Sequence, residues 1–269
     1  MIPAPFEYLR ARTVDEALTL LAEHGEDAKV VAGGHSLLPM MKLRLARPEI
    51  LIDIAPIADL RYIRIDGDEL AIGALSTHAG VAGSELVRTE APLLAHSASL
   101  VGDPQVRHRG TLGGSLAHAD PAADLPMAAL AAGARLVVQG PAGRRTVAAD
   151  DFFTGFFDTA LDAGELLVEV RLQRRAGAGW GYEKFVRRAN DWAIVGVATV
   201  GGRIALANMG SRPLRATAAE AALAGGASIE NAAALAADGT EPVADLHADP
   251  DYRRHLARVL TARALTSAA

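Results

Sequence analysis

The spacing of apolar residues changes character twice along this chain. Thr13-Val-Asp-Glu-Ala-Leu-Thr-Leu-Leu-Ala-Glu puts Leu18 and Leu21 on one face, with Thr13 placed to cap and Glu16 three residues on, which predicts a helix. Short apolar runs at 29–32 and 49–54 predict buried strands. Between them Ser36 is expected to cap a second helix, with Pro39 in its first turn, running to about Leu45. Strand, crossover helix and strand together predict a small parallel βαβ unit over residues 1 to about 55.

Hairpins then replace crossovers. Residues 61–65 and 69–72 flank an Asp66-Gly67 turn, and 135–139 and 144–148 flank Gly-Pro-Ala-Gly, so antiparallel pairing is expected, with a further strand at 165–172. Helices are predicted after the Gly73–Thr77 turn, at about 92–101 and at 122–132. The basic, glycine-rich stretch 173–181 reads as a linker. Beyond it come strands near 182–187, 194–200 and 203–209, then alanine-rich helices near 214–224, 229–237 and 251–264. The fold class predicted is α+β.

Two glycine pairs eighty residues apart, in Lys29-Val-Val-Ala-Gly-Gly-His-Ser36 and Arg109-Gly-Thr-Leu-Gly-Gly-Ser115, interrupt this pattern in near-matching settings. Glycine lets successive backbone N–H groups turn inward around an anion, and two such loops suit a pyrophosphate. The ordinary explanation of either pair alone is a tight turn. Neither loop has Gly-x-Gly-x-x-Gly or a Gly-Lys-Ser/Thr sequel, so the Rossmann and P-loop readings are excluded.

The residues Ala32-Gly-Gly-His-Ser-Leu-Leu-Pro-Met-Met-Lys-Leu-Arg44 and Arg109-Gly-Thr-Leu-Gly-Gly-Ser-Leu-Ala-His-Ala-Asp-Pro-Ala-Ala-Asp-Leu-Pro126 resemble the FAD-binding medium subunit of the molybdenum hydroxylases, the carbon monoxide dehydrogenase and xanthine dehydrogenase family. The resemblance extends through Gly73-Ala-Leu-Ser-Thr-His78 and Tyr182-Glu-Lys-Phe-Val-Arg-Arg-Ala-Asn-Asp-Trp-Ala193 to essentially the whole chain. It implies a two-subdomain FAD-binding fold of the PCMH type over 1–172, divided at about 55, and a smaller C-terminal domain over 178–269 with an antiparallel sheet and helices. It also implies that Val30, Val31, Ala32, Gly33, Gly34, His35, Ser36 and Leu37 wrap the FAD pyrophosphate. Gly110, Thr111, Gly113, Gly114, Ser115 and Ala117 would complete the cradle, with Thr77 and Val101 beside it. Asp124 and Lys184 match residues near the cofactor, and Leu166 or Leu167 falls where the backbone meets the isoalloxazine.

Trp192 matches a position where relatives of the carbon monoxide type carry an aromatic, often tyrosine, against the flavin; tryptophan here is a departure. Simpler readings stand beside these. Asp124 could cap the helix it begins, Lys184 could be a solvated strand residue, and Trp192 an ordinary buried aromatic at a strand start. His35 could donate to phosphate, carry a covalent flavin, or be a turn histidine on the adenosine side. His118, Asp120 and Asp124 can be drawn as a metal site, although a polar loop cluster explains them better.

Composition narrows the chemistry. Half of the 269 residues are apolar and 22% are charged, enough for a sizeable core, and no apolar run approaches a bilayer span. The start lacks a basic segment followed by an apolar core, so a cytoplasmic location is expected. A net charge of −5 with dispersed Lys and Arg argues against nucleic acid. With no cysteine there is no disulfide or protein-bound iron–sulfur cluster, which also argues against relatives whose flavoprotein subunit carries its own [4Fe–4S] cluster. No Ser-His-Asp array or carboxylate pair stands out, so no catalytic residue and no metal ligand is assigned.

The resemblance therefore implies an electron-transfer subunit that holds FAD. Its expected partners are a large molybdopterin subunit and a small subunit with two [2Fe–2S] clusters, in a heterotrimer or its dimer. The alternatives are a stand-alone FAD reductase of the same fold, which needs its own acid and substrate arginines, and a non-enzymatic nucleotide-binding module.

Overall fold

The computed structural model describes residues 2–269 and contains three main sheets with helices packed between them. The first is parallel: Ile50–Asp53 is central, flanked by Glu7–Arg10 and Ala28–Val31. Helix Val14–His24 packs on it, capped by the Thr13 hydroxyl accepting from the Glu16 N–H at 3.1 Å. No strand is predicted at Glu7–Arg10, because Tyr8 and Leu9 between two charged residues make no apolar run. Ser36 makes no side-chain cap, and the helix it precedes, Leu37–Lys42, ends before Leu45. Arg44 there takes a left-handed φ of 63°, which breaks the helix.

The second sheet is antiparallel and five-stranded, in the order Ile63–Asp66, Glu69–Gly73, Leu166–Gln173, Arg135–Gly140 and Gly143–Ala148. Both hairpins fall where their turns predict. The sequence-distant strand Leu166–Gln173 sits between them, with a bulge between Leu167 and Glu169. That bulge frees the Val168 carbonyl to accept from the Ala74 N–H at 3.0 Å, joining the sheet to the start of the 74–78 turn.

Helices Pro92–Ser99 and Asp124–Ala132 cover this sheet. The first ends short of Val101, which lies half-buried in a bend. Short helices His78–Gly83 and Glu85–Glu90 precede Pro92–Ser99, and Pro104–Arg109 and Leu112–His118 lie between it and Asp124–Ala132.

The third sheet runs Trp180–Phe185, Val195–Val200, Arg203–Ala207, Leu214–Arg215, all antiparallel. Its first strand begins two residues before the predicted start. Leu214–Arg215 is a strand, so the helix expected at 214 begins at Thr217. The final helix is longer than predicted, Pro250–Ala268.

The stretch 173–181 is anchored rather than loose. Arg174 N–H donates to Asp68 O, Arg175 N–H to Glu90 O, and the Arg174 guanidinium to Glu90 at 2.9 Å. Ala198, Val200, Ala205 and Ala207 of the third sheet are buried in the same apolar cluster as Leu94, Met127 and Leu136. The C-terminal sheet thus packs directly on the helices that follow the glycine motifs.

Candidate functional site

The site forms where strand Ala28–Val31 ends. Its loop, 32–36, meets the segment 109–113, and the contact is backbone against backbone. A Cβ on Gly33 would lie 2.3 Å from the Arg109 carbonyl oxygen and 2.8 Å from Gly110 Cα. Gly34 turns the chain with φ 76°, and the His35 ring returns to the Gly33 carbonyl through Nδ1 at 3.0 Å. Among the described residues, the backbone N–H groups of Gly33, Gly34, His35 and Ser36 donate to no protein acceptor. Backbone amides left unengaged on a glycine turn are free to donate to an anion.

The second motif looks alike in sequence and works differently. Leu112 N–H donates to Ser76 O at 2.9 Å, Gly113 N–H to Ala74 O at 2.8 Å, and Gly114 N–H to the Thr111 hydroxyl at 3.1 Å. Thr111 thereby caps helix Leu112–His118 and also bridges to Thr77. Gly113 is required because a Cβ would come within 2.8 Å of the Ala74 carbonyl oxygen. The expectation of two equivalent amide cradles is therefore corrected. One loop presents open N–H groups, while the other uses its own to fasten the 74–78 turn beneath it.

A cavity of about 440 Å³ opens beside the junction, lined by Ala32, Thr77 and Thr111 together with Arg61, Tyr62, Ser76, His108 and Arg109. The last five were missed in the sequence. Arg109 stands in a basic triplet that reads only as too short for nucleic acid, and Arg61 and Tyr62 read as the start of a hairpin strand that in the structure begins at Ile63. Tyr62 donates to Glu169 Oε2 at 2.5 Å, and burial followed by that bond pushes its hydroxyl up to about 12. His78, behind the bridge, is buried and its Nδ1 has no partner; burial lowers it to about 4, keeping it neutral.

Asp124 and Lys184, sixty residues apart, are brought together. Asp124 is 4% exposed; Lys184 Nζ donates to Oδ2 at 3.0 Å and the Tyr182 hydroxyl donates to Oδ1. Desolvation raises the Asp124 carboxyl, opposed by the Lys184 charge and by hydrogen bonds from Tyr182 and Lys184; desolvation also raises the Tyr182 hydroxyl well above the ordinary phenol range. Both simpler readings fall: Asp124 makes an ion pair across two domains rather than a cap, and Lys184 is not solvated. The reading of Trp192 as buried falls too, since it is 57% exposed on the loop before Val195–Val200.

The remaining sequence candidates divide. Leu166 and Leu167 are buried in the central strand beside the bulge, adjoining Ala74 and hence Gly113. The Val101 carbonyl accepts from Arg107 at 3.1 Å, and Ala117 is exposed on its helix. His118 packs against Phe157 at 4.8 Å and Asp120 accepts from Ala122 N–H at 2.8 Å. With both Asp124 oxygens engaged, these three side chains do not converge, and among the described residues no group of three His, Asp or Glu is placed to hold a metal ion.

An open-amide glycine turn, flanking cations and a buried aspartate–lysine pair are features of a cofactor-holding flavoprotein. The chain belongs to the family described as the FAD binding domain in molybdopterin dehydrogenase, which matches residues 4–173; the CO dehydrogenase flavoprotein C-terminal domain matches 180–268. It is 46% identical to the carbon monoxide dehydrogenase medium chain of Hydrogenophaga pseudoflava, over all of this chain and 98% of that one. It is 36% identical to the nicotine 6-hydroxylase medium subunit of Paenarthrobacter nicotinovorans, over 99% and 98%. A solved carbon monoxide dehydrogenase from H. pseudoflava, lacking the Mo-pyranopterin moiety of its cofactor, superposes with a TM-score of 0.96 at 48% identity, covering 100% of this chain and 98% of that one. FAD is thus the cofactor of this chain's family, and the observed loop fits it: free N–H groups and nearby arginines suit a diphosphate.

Proposed function

We propose that this chain is the electron-transfer subunit of a molybdenum hydroxylase complex, holding FAD between the 32–37 loop and the 110–115 motif. The observation that carries the reading is the Gly33 contact, which seats four unengaged backbone N–H groups beside the arginine-lined cavity. FAD, when bound, supplies two-electron storage with one-electron exchange. The chain's own residues bind and position it. The Gly33–Ser36 amides and the Arg61 and Arg109 charges receive the diphosphate, and Thr77 and Thr111 line the wall. The Asp124–Lys184 pair fixes a charged floor where the two domains meet, and Trp192 on its exposed loop limits access to the ring.

Two relatives are named as medium chains or subunits, which supports an assembly with a large molybdopterin subunit and a small iron–sulfur subunit as electron donor. A heterotrimer or its dimer, in the cytoplasm, is the corresponding arrangement. In this reading substrate oxidation belongs to the large molybdopterin subunit, and the residues of this chain serve the flavin.

Expressing the chain alone and together with the proposed partner subunits tests this. The expected result is a yellow chain with stoichiometric FAD that neither oxidises substrate nor turns over NAD(P)H, and whose flavin is reduced by substrate only in the complex. NAD(P)H turnover by the isolated chain would identify a stand-alone reductase. A colourless chain that never takes up FAD would leave only a nucleotide-binding module.

A further inference from the structure

The loop that carries Trp192 is exposed, yet its return into the sheet is held by a half-buried and a buried side chain from two other segments. Ile194 N–H donates to the Phe185 carbonyl at 2.8 Å, closing the loop's base. The two carbonyls that follow Trp192 are each taken. Asn208 Nδ2 donates to Ala193 O at 2.7 Å, and Arg253, 1% exposed on the final helix, donates to Ile194 O. Arg253 is itself held by Asp245 at 2.6 Å. Asn208 does more than complete this pair: its own N–H donates to Pro121 O at 2.7 Å, in the turn that leads to Asp124. One residue therefore ties the Trp192 loop to the Asp124 helix.

We infer that Asn208 is a positioning residue that sets Trp192 relative to the Asp124–Lys184 floor, with Arg253 as the second anchor. The residue type is constrained twice. The backbone is left-handed at φ 61°, which asparagine tolerates far better than most side chains. The short amide must also reach a carbonyl as donor, which neither glycine nor aspartate can do. Asparagine meets both demands, and an ordinary turn residue at the end of strand Arg203–Ala207 needs only the first. The inference rests on the reading of Trp192 as the residue that controls access to the flavin.

The test uses the full-length, FAD-loaded chain with Asn208→Gly, which keeps the left-handed backbone and removes the donor, and Asn208→Asp, which keeps the shape and removes the donor. Hydrogen exchange of segment 186–195 should quicken about fivefold in both, the effect of losing one net hydrogen bond, with exchange in the final helix unchanged. Flavin reoxidation by a soluble acceptor should change in Asn208→Gly in the same direction as in Trp192→Ala. Adding Asn208→Gly to Trp192→Ala should change it no further, a non-additivity that a general loss of stability would not produce. Unaltered exchange in both Asn208 variants overturns the positioning role. Faster exchange with reoxidation indifferent to Trp192→Ala upholds the anchor and removes the access role of Trp192 instead.

Discussion

Gly33→Ala is the most direct probe of how the two glycine motifs cooperate. The added methyl carbon would sit 2.3 Å from the Arg109 carbonyl oxygen and 2.8 Å from both the Arg109 carbonyl carbon and Gly110 Cα. Ordinary contact needs more than 3 Å, so the 32–36 loop and the 109–113 segment must part by about 1 Å, and no side-chain rotamer can absorb the movement because every neighbour is backbone. Overpacking of this kind costs about 1–3 kcal/mol. If the loops form one binding surface, separating them also misplaces the amides, and the same energy appears as a roughly 10- to 100-fold weaker FAD affinity. Gly34→Ala is the informative comparison. Its φ of 76° makes alanine unfavourable by about 1–2 kcal/mol, but its nearest neighbour is the flexible Leu38 side chain at 2.9 Å. Gly83→Ala meets nothing within 4 Å and should be silent. Flavin titration by fluorescence quenching, with thermal unfolding of the same samples, separates the two costs. Gly33→Ala with wild-type FAD affinity would refute the joint site, whatever happened to its melting temperature.

His78 is neutral in the folded chain down to about pH 4, whereas the unfolded chain protonates it near 6.5, so protons are taken up by the unfolded state first and stability falls as pH drops through that window. For this buried group the loss is about 3 kcal/mol, and His78→Asn should flatten the pH dependence of urea midpoints between pH 6.5 and 4. Lys184→Met leaves the buried Asp124 carboxylate without its cation and should destabilise by about 3–5 kcal/mol, while Asp124→Asn combined with Lys184→Met should recover more than half; simple additivity in a denaturation cycle would disprove the pairing. Gly181→Ala would place a carbon 1.9 Å from the Ala264 carbonyl oxygen and should undock the final helix, lowering the melting temperature steeply, whereas Gly225→Ala, with nothing closer than 3.4 Å, should not.

What the sequence made legible is what local chemistry dictates. Asp66-Gly67 requires a hairpin whatever surrounds it, and the parallel pairing of 28–31 with 50–53 follows from a crossover helix between two apolar runs. The glycine motifs mark the limit of such reading. They share a local grammar, yet Gly33 is set by the distant Arg109–Gly110 backbone and Gly113 by Ala74, and only those contacts decide which loop keeps its N–H groups free. The same holds for charge: Asp124 reads as a helix cap because its partner Lys184 lies in another domain. Asn208 carries no signal, because asparagine after a strand is a common turn residue; its contact with Ala193 exists only once the third sheet has formed, and that with Pro121 only once the sheet has packed against the turn before the Asp124 helix. The site is therefore assembled late in the hierarchy of structure. Its amides are local, but their alignment, the charged floor and the placement of Trp192 all depend on contacts between segments that each look ordinary alone, which is why perturbing a single backbone contact at Gly33 or a single amide at Asn208 is a sharper test of the assembly than removing any residue on its surface.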